Sequence, residues 1–380
     1  MNKITHLIFL TFMIIACSPK TEETASLGNS SISETTHGQL TDGSEVSLFT
    51  LKNAKGMEVT ISNYGGKVIT WTAADRDGNY ENINLGMKTL EEYFDGAGFF
   101  GTLVGRFGNR IGGAKFSLDG EEFQLIANNG ENSLHSSGEG IDQQLWTAEI
   151  IEAANPTLKL SVISPDGAGG FPGNLNVEVT YTLMPDDALR IDYKATTDKP
   201  TVANLTNHCY FNLSAFKSDI LDHEITLHAD SYLPVDEGLI PYGEVASVTG
   251  TPFDFTSSKR IGEEINDSTD AQIVIGGGYD HAWIFTDKSK EMKLGASVYE
   301  PTSGRVMEVY TKEPAVQFYT GNFLNGSLIG HDNVKYDKRW GLCLETEGYP
   351  DAPNKPEYPS TTLRPGEVYE TSTMYKFSVK

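Results

Sequence analysis

The chain has 380 residues, of which 29 are Lys or Arg and 52 are Asp or Glu, so its formal net charge is −23. An acidic chain without a basic block is a poor partner for nucleic acid, because that binding rests on Lys and Arg meeting phosphate. The length and a hydrophobic content of 38% are sufficient for a large core.

The N-terminus has the pattern of an export signal. Lys3 precedes a short apolar run that ends at Ala16 and Cys17, and the run is too short to span a bilayer. The stretch IIAC resembles a lipobox, after which the cysteine carries lipid. We therefore expect residues 1–17 to be a lipoprotein signal peptide and lipidated Cys17 to hold the exported chain at a bacterial envelope membrane, on its periplasmic or surface face. An ordinary cleaved signal is the alternative.

The segment after the signal is poor in bulky apolar side chains and rich in Ser, Thr and Glu. Such a composition cannot offset the entropy of ordering, so residues 18–36 are predicted to be a flexible tether. No second linker follows, and residues 37–380 are predicted to form a single domain.

Period-two alternation of apolar residues recurs through this domain. It is clearest in residues 158–162, 175–183 and 189–195, and these runs end in turn sequences such as SPDGAGGFPG and MPDD. The pattern returns in HEITLHADSYLPV and RVMEVYTKEPAVQFYTGN, while KTLEEYF is the one segment predicted as a helix. The expected fold is all-β, a large and mainly antiparallel β-sandwich with a face concave enough for a sugar-sized ligand.

Three segments place polar residues among glycines and apolar side chains. FFGTLVGRFGNRIGG contains Arg106, Asn109 and Arg110, although its glycine spacing does not match a phosphate loop. NGENSLHSSGEGID contains His135, and GGGYDHAW contains Asp280 beside glycines that permit close approach of a ligand.

Two further segments carry groups suited to proton transfer. In NHCYFNL, strand alternation puts His208 on the face opposite Cys209. In WGLCLETEGYPDAPNKPEYP, alternation puts Glu345 and Glu347 on one face and Leu344 on the other. The paired carboxylates are either a solvated stripe or a general base held in a pocket.

The remaining histidine and cysteine patterns argue against a zinc-binding helix and against a disulfide-stabilised fold. His223 and His228 are five residues apart in a strand-like run, whereas a zinc helix needs histidines four apart, so no metal site is predicted. Apart from Cys17 only Cys209 and Cys343 are present, which excludes a disulfide framework and leaves a single bridge between them open.

Several long motifs together resemble one family. NHCYFNL, GRFGNRI, NSLH, SPDGAGGFPGNLNVEVTYTL, GYDHAW, VQFYTGNFL and LCLETEGYPDAPNKPEYP, with the separations that they have here, resemble the aldose 1-epimerases, or galactose mutarotases. The resemblance extends from His37 to the C-terminus. It implies the galactose mutarotase-like supersandwich, with a sugar cleft across one sheet.

The resemblance also implies an activity, the interconversion of α and β anomers of free hexoses such as galactose and glucose. Ring opening and reclosure need a base for the C1 hydroxyl and an acid for the ring oxygen, and no cofactor is expected because only protons move. By position the family implies these roles: Glu345 as base, His208 as acid, His135 as the second histidine near the ring oxygen, Arg110 with Asn109 as sugar-holding residues, and Asp280 and Gln317 as partners of sugar hydroxyls.

The chain departs from the family pattern at three positions. Ser136 and Ser137 stand where the family often has glycines, and Glu347 stands where it often has glutamine. A second carboxylate near Glu345 would raise the pKa of Glu345 if the two were close. These departures bear on sugar preference, which the sequence does not fix.

Three other functions remain open from the sequence. A non-catalytic carbohydrate-binding sandwich would not need the proton-transfer pair. A hexose-phosphate epimerase would need more cations than Arg106 and Arg110. A glycosidase would use Glu345 with Asp280 or Glu347 as a carboxyl pair. The chain is compatible with either a monomer or a homodimer.

Overall fold

A computed structural model describes residues 29–94, 98–136 and 138–380. The predicted signal peptide with Cys17, most of the predicted tether and Ser137 lie outside these ranges. Across the described ranges, none of the helices has the length and apolar character needed to cross a membrane.

The described residues form short and long β-strands with two short α-helices. The helices are α1 (Leu90–Phe94) and α2 (Ala271–Gly276). The first strands are β1 (Ser31–Gln39), β2 (Glu45–Lys52), β3 (Glu58–Ser62), β4 (Val68–Ala74), β5 (Tyr80–Asn82), β6 (Leu103–Val104), β7 (Arg110–Ile111), β8 (Lys115–Leu118), β9 (Glu121–Gln124), β10 (Ser133–Leu134), β11 (Thr147–Ile151), β12 (Thr157–Ser164), β13 (Leu175–Leu183) and β14 (Ala188–Thr197). The others are β15 (Thr201–Val202), β16 (Thr206–Asn207), β17 (Glu224–Leu227), β18 (Ala229–Tyr232), β19 (Ala246–Ser247), β20 (Lys259–Arg260), β21 (Asp280–Phe285), β22 (Lys293–Tyr299), β23 (Arg305–Thr311), β24 (Ala315–Tyr319), β25 (Cys343–Glu347), β26 (Thr362–Leu363) and β27 (Tyr369–Val379).

Three antiparallel sheets account for most of these strands. A nine-stranded sheet has the order β11-β12-β13-β14-β27-β23-β22-β17-β20. One five-stranded sheet follows chain order from β1 to β5, and the other has the order β19-β18-β21-β24-β25. The predicted all-β, mainly antiparallel sandwich is therefore confirmed.

One hydrophobic core joins the three sheets. Trp71 of β4 is fully buried and its ring meets the ring of Tyr375, from β27, with centroids 5.7 Å apart. Phe318 of β24 enters the same core, as does Ile191 of β14. Because alternate residues of each strand point to opposite faces, the core occupies one face of β24 and β25 and leaves the other face for polar groups.

The predicted tether extends too far toward the C-terminus. Ser31–Gln39 form β1, which pairs antiparallel with β2. An edge strand is held by backbone hydrogen bonds and does not need many apolar side chains, so composition alone did not reveal it. Ile32 packs against the core.

The prediction of a single helical segment was incomplete. KTLEEYF contains α1, but Ala271–Gly276 form a second helix. Asp270 caps it by accepting from the backbone N–H groups of Gln272 and Ile273. Its six residues are fewer than two turns, which is too short for a helical period to be read from sequence.

The two cysteines of the domain do not form a bridge. Cys209 and Cys343 are both free and buried. Cys209 belongs to the large core, whereas Cys343 lies in a separate cluster beside Tyr210 and Tyr319.

Arg106 is a structural residue rather than a ligand-binding one. Its side chain is buried and donates to the carbonyl oxygens of Ser164, Pro165, Pro172 and Gly173. The Arg106 guanidinium therefore connects the SPDGAGGFPG turn by hydrogen bonds to the segment that precedes β7.

Replacing Arg106 with Met should lower the free energy of unfolding by roughly 2–4 kcal/mol, because several buried carbonyl groups would lose their donors. Urea denaturation measures this loss. Arg190→Met is the matched control, since Arg190 is exposed and its ion pair is with the nearby Asp192. Equal stability of the two variants would contradict the structural role of Arg106.

Candidate active site

The site is built on β25, a strand that is buried along its whole length. Leu344 enters the main core, and its carbonyl oxygen accepts a hydrogen bond from the hydroxyl of Tyr375 at 3.0 Å. Glu345 and Glu347 lie on the opposite face with exposures of 2% and 0%. The predicted shared face is confirmed, and the carboxyl groups are in a pocket rather than on a solvated stripe.

His208 lies directly after β16 and faces Glu345. Its backbone N–H donates to the carbonyl oxygen of Thr102 at 2.9 Å, which fixes the chain at this point. The ring Nε2 is 3.4 Å from Glu345 Oε1, and Nδ1 is 3.5 Å from Cys343 Sγ. Tyr210 stacks on the imidazole with ring centroids 4.9 Å apart. The imidazole therefore has a fixed orientation toward one carboxyl oxygen.

His135 reaches the same place from a loop. Its φ of 58° is in the left-handed region, and its backbone N–H donates to the carbonyl oxygen of Asn109. The backbone N–H of Asn109 donates to His135 Nδ1 at 3.0 Å. When the ring is neutral, its proton must therefore be on Nε2, which makes His135 a hydrogen-bond donor toward a ligand.

Three polar side chains form a connected set beside the histidines. The carboxylate of Asp280 accepts from Gln317 Nε2 at 2.6 Å and lies 3.5 Å from Arg110 Nη2. Arg110 Nε also donates to Asn129 Oδ1 at 3.1 Å. Gln317 is directly opposite Glu345 in the pairing of β24 with β25, so this set borders the proton-transfer groups.

Asn109 connects β25 with the sugar-holding residue Arg110. Its side-chain Nδ2 donates to Glu347 Oε1 at 2.7 Å, and its Oδ1 accepts from the backbone N–H of Arg110 at 2.8 Å. All seven residues proposed from sequence for catalysis or sugar binding are thus brought together.

Burial shifts the proton affinities of the central groups in opposite directions. It raises the pKa of Glu345 well above its usual value, and the negative charges of Glu347 and Asp280 add to the effect. Burial lowers the pKa of His208 to about 3. It also lowers the pKa of His135 well below the usual value, helped by the neighbouring His208 and Arg110. Both histidines are therefore neutral near neutral pH, and Glu345 keeps its proton to higher pH than an ordinary carboxyl group does.

Nitrogen and oxygen atoms of His135, His208 and Glu345 lie within 4.8 Å of one another. Such a set suits either an ion or proton exchange with one small substrate. Nδ1 of each ring is already engaged. In His135 it accepts from the backbone N–H of Asn109, and in His208 it contacts the sulfur of Cys343. Each ring keeps its Nε2 for Glu345 or for a small ligand, which is the arrangement that proton exchange requires.

The sequence did not single out several residues that shape the site. Phe99 meets the His135 ring edge-on at 4.5 Å and stacks on His208 at 5.7 Å. Cys343 and Asn129 also contact site residues, and no spacing pattern marks them. Tyr210 also packs on the site, with its ring stacked on the His208 imidazole.

Comparisons with known proteins identify the family. The family model described as aldose 1-epimerase matches residues 47–376. A galactose mutarotase of Rattus norvegicus is 43% identical over 92% of this chain and 99% of its own length. An aldose 1-epimerase of Escherichia coli is 41% identical over 88% of this chain and 96% of its own length.

A solved structure extends the likeness to the fold. The galactose 1-epimerase of Lactobacillus acidophilus has a TM-score of 0.81 and 29% identity, covering 92% of this chain and 99% of its own. The chain therefore belongs to the aldose 1-epimerase family, whose members are isomerases that interconvert the α and β anomers of aldoses.

Proposed function

We propose that Glu345 and His208 are the proton-transfer pair with which this chain opens and recloses the pyranose ring of free aldoses such as galactose and glucose. The observation that carries the proposal is the buried contact of 3.4 Å between His208 Nε2 and Glu345 Oε1. Glu345 Oε2 has no hydrogen-bond partner among the described residues, so one oxygen is available to a ligand.

In the ring-opening step, the Glu345 carboxylate takes the proton of the C1 hydroxyl and a C1–O double bond forms. The bond from C1 to the ring oxygen breaks, and that oxygen takes its electron pair and a proton from His208. Rotation about the C1–C2 bond turns the other aldehyde face toward the C5 hydroxyl. Closure then returns the two protons, one from Glu345 to the C1 oxygen and one from the hydroxyl to His208.

This sequence of steps needs one proton on the pair, carried at the start by His208. Without a sugar the same proton favours Glu345 over His208, because burial raises the pKa of the carboxyl group and lowers the pKa of the imidazole to about 3. A bound sugar can move it, since hydroxyl groups that donate to Glu345 stabilise the carboxylate and a ring oxygen that accepts from His208 stabilises the imidazolium. The proton count does not change.

Arg110, Asp280 and Gln317 are proposed to hold the sugar hydroxyls. They offer both donors and acceptors in a connected set, which suits a ligand whose hydroxyl groups do both. His135, with its proton on Nε2, is proposed to donate toward the ring oxygen, and Asn109 to orient Arg110.

A hexose phosphate is disfavoured as the substrate by Arg106. Its guanidinium is engaged by turn carbonyl oxygens, so it does not add to Arg110 as a second cation for a phosphate. A pure binding protein is disfavoured by the buried acid/base pair, which binding alone does not need. Activity on glycosides without a free anomeric hydroxyl would indicate the glycosidase instead.

Glu345→Gln and His208→Asn should each lower kcat/KM for mutarotation of α-D-galactose or α-D-glucose by about 10²–10⁴-fold while the protein stays folded, because each removes one proton-transfer group. Polarimetry on freshly dissolved sugar, corrected for the spontaneous rate, measures this. His228→Asn and Glu178→Gln are matched controls at exposed positions. Wild-type activity in either active-site variant would reject the assigned pair.

The activity should be nearly independent of pH on the acid side. Since burial lowers the pKa of His208 to about 3, a second proton does not enter the pair between pH 7 and pH 5. We expect kcat/KM to change less than about threefold over this range. An essential neutral histidine with an ordinary pKa of about 6.5 would instead give a loss of about 25-fold. Such a loss, in protein shown by circular dichroism to be folded, would contradict the protonation states proposed here.

We also propose that the chain is exported and held at a bacterial envelope membrane by lipid on Cys17. The support is the sequence alone, a short apolar run with Lys3 before it and the IIAC stretch at its end. A substrate arriving outside the cytoplasm would then meet the enzyme at the membrane surface.

Cys17→Ala should abolish lipid attachment and move the protein from the membrane fraction to the soluble fraction. Fractionation of expressing cells with metabolic labelling by a fatty-acid analogue tests both effects. Ser18→Ala, which keeps the cysteine, serves as the control. Membrane association that persists in Cys17→Ala would exclude the anchor.

A further inference from the structure

The further inference concerns Glu347, a carboxyl group that the proposed reaction does not use. Its side chain is fully buried, and only one of its two oxygens has a hydrogen-bond partner among the described residues. A buried carboxyl with a free oxygen costs stability that an amide or apolar side chain at this position would not cost. Its presence beside the proton-transfer pair therefore calls for a role.

The bonded oxygen holds a residue that organises the site. Glu347 Oε1 accepts from Asn109 Nδ2 at 2.7 Å, and Asn109 in turn contacts His135 through both of its backbone polar groups and Arg110 through its side-chain oxygen. Asn109 has a φ of 66°, in the left-handed region, which asparagine adopts more readily than most residues other than glycine. Glu347 of β25 holds the Asn109 side chain in this conformation through their hydrogen bond.

The free oxygen is in a tight space. A Cβ atom at Gly108 would lie 3.1 Å from Glu347 Oε2 and 3.2 Å from a methyl group of Thr206. The charged and titratable groups that act on Glu347 come from each neighbouring element: Glu345 on its own strand, Glu313 before β24, Asp280 on β21 and Arg110 on β7. Glu347 is therefore surrounded by three other carboxyl groups and by one positively charged side chain.

Glu345 and Glu347 are two residues apart on one strand face, or roughly 7 Å along the strand. The pKa of Glu347 is raised to about 8, chiefly by burial and then by the charge of Glu313, while the hydrogen bond from Asn109 acts to lower it. When Glu347 ionises, its charge makes the loss of a proton from Glu345 less favourable.

We propose that Glu347 is a positioning residue for the ring-opening reaction: its carboxyl group holds Asn109 against His135 and Arg110, and it places a second ionisable group beside Glu345. The inference deepens the proposed function and rests on it. Glu347 itself does not contact the reacting atoms, so its effects pass through Asn109 and through the charge on its own carboxyl group.

Two substitutions separate the two effects. Glu347→Met removes the acceptor for Asn109 and should raise KM by about tenfold or more, because Arg110 and His135 lose their fixed placement. Glu347→Gln keeps an acceptor oxygen and should recover KM relative to Glu347→Met, but it removes the charge. At alkaline pH, kcat/KM should fall as Glu345 loses its proton. In Glu347→Gln no neighbouring charge opposes that loss, so the fall should move to lower pH by at least about 0.5 on the pH scale. The exposed Glu178→Gln is the control.

A readout that does not need catalysis accompanies the kinetics. Carboxyl-labelled glutamate gives a ¹³C resonance for Glu345 that is identified by its loss in Glu345→Gln. This resonance should titrate at lower pH in Glu347→Gln than in the wild type. An unchanged titration together with an unchanged alkaline fall overturns the charge role, and an unchanged KM in folded Glu347→Met overturns the positioning role. Inactive wild-type protein would reject the proposed function, while the resonance would still test the charge role.

Discussion

The site depends on the burial of ionisable side chains on a strand whose other face is hydrophobic core. Leu344 and Thr346 of β25 point toward the core and β27, and Glu345 and Glu347 point away from them. Because the strand is paired with β24 and packed on both faces, its carboxyl groups cannot turn toward solvent. Desolvation favours the neutral forms of both the Glu345 carboxyl group and the His208 imidazole. The pair in these forms holds one proton, on the carboxyl group.

Buried cations stabilise the loops around this strand. Arg106 donates to carbonyl oxygens of the turn before β13, and Arg305 donates to the carbonyl oxygens of Ala73 and Leu213 and to Glu81. A guanidinium has five donors in a fixed plane, so one side chain can satisfy several carbonyl groups that would otherwise be buried without partners. Arg305 thereby attaches the loop after His208 to β4, and Arg106 attaches the chain before Asn109 to the SPDGAGGFPG turn.

The parts of the fold predicted from sequence are those with a local signal. β13 and β14 alternate between apolar and polar residues because one face of each is exposed, and the same rule assigned Glu345 and Glu347 to one face. Edge strand β1 and the six-residue α2 carry no such signal. Packing neighbours such as Phe99 were not predicted either, since alternation does not identify which side chain covers a histidine ring.

Contacts between distant parts of the chain also had no local signal. The hydrogen bond from Asn109 to Glu347 spans 238 residues, and the family resemblance named Asn109 without naming its partner. A single sequence states which groups are present, whereas their pairing follows from the order of strands in the sheets. The acidity of Glu345 depends on that pairing, because the charged groups that act on it, Glu347, Asp280 and Arg110, lie on three different strands.

The backbone N–H of Asn109 donates to His135 Nδ1, so the tautomer of this histidine is set by the path of the main chain. Substitutions at position 109 can alter the amide side chain, but every residue except proline keeps the donor. As long as the backbone at position 109 keeps its left-handed conformation, the neutral His135 ring therefore carries its proton on Nε2. Sugar preference can vary through the surrounding side chains while the hydrogen-bond polarity at this ring stays the same.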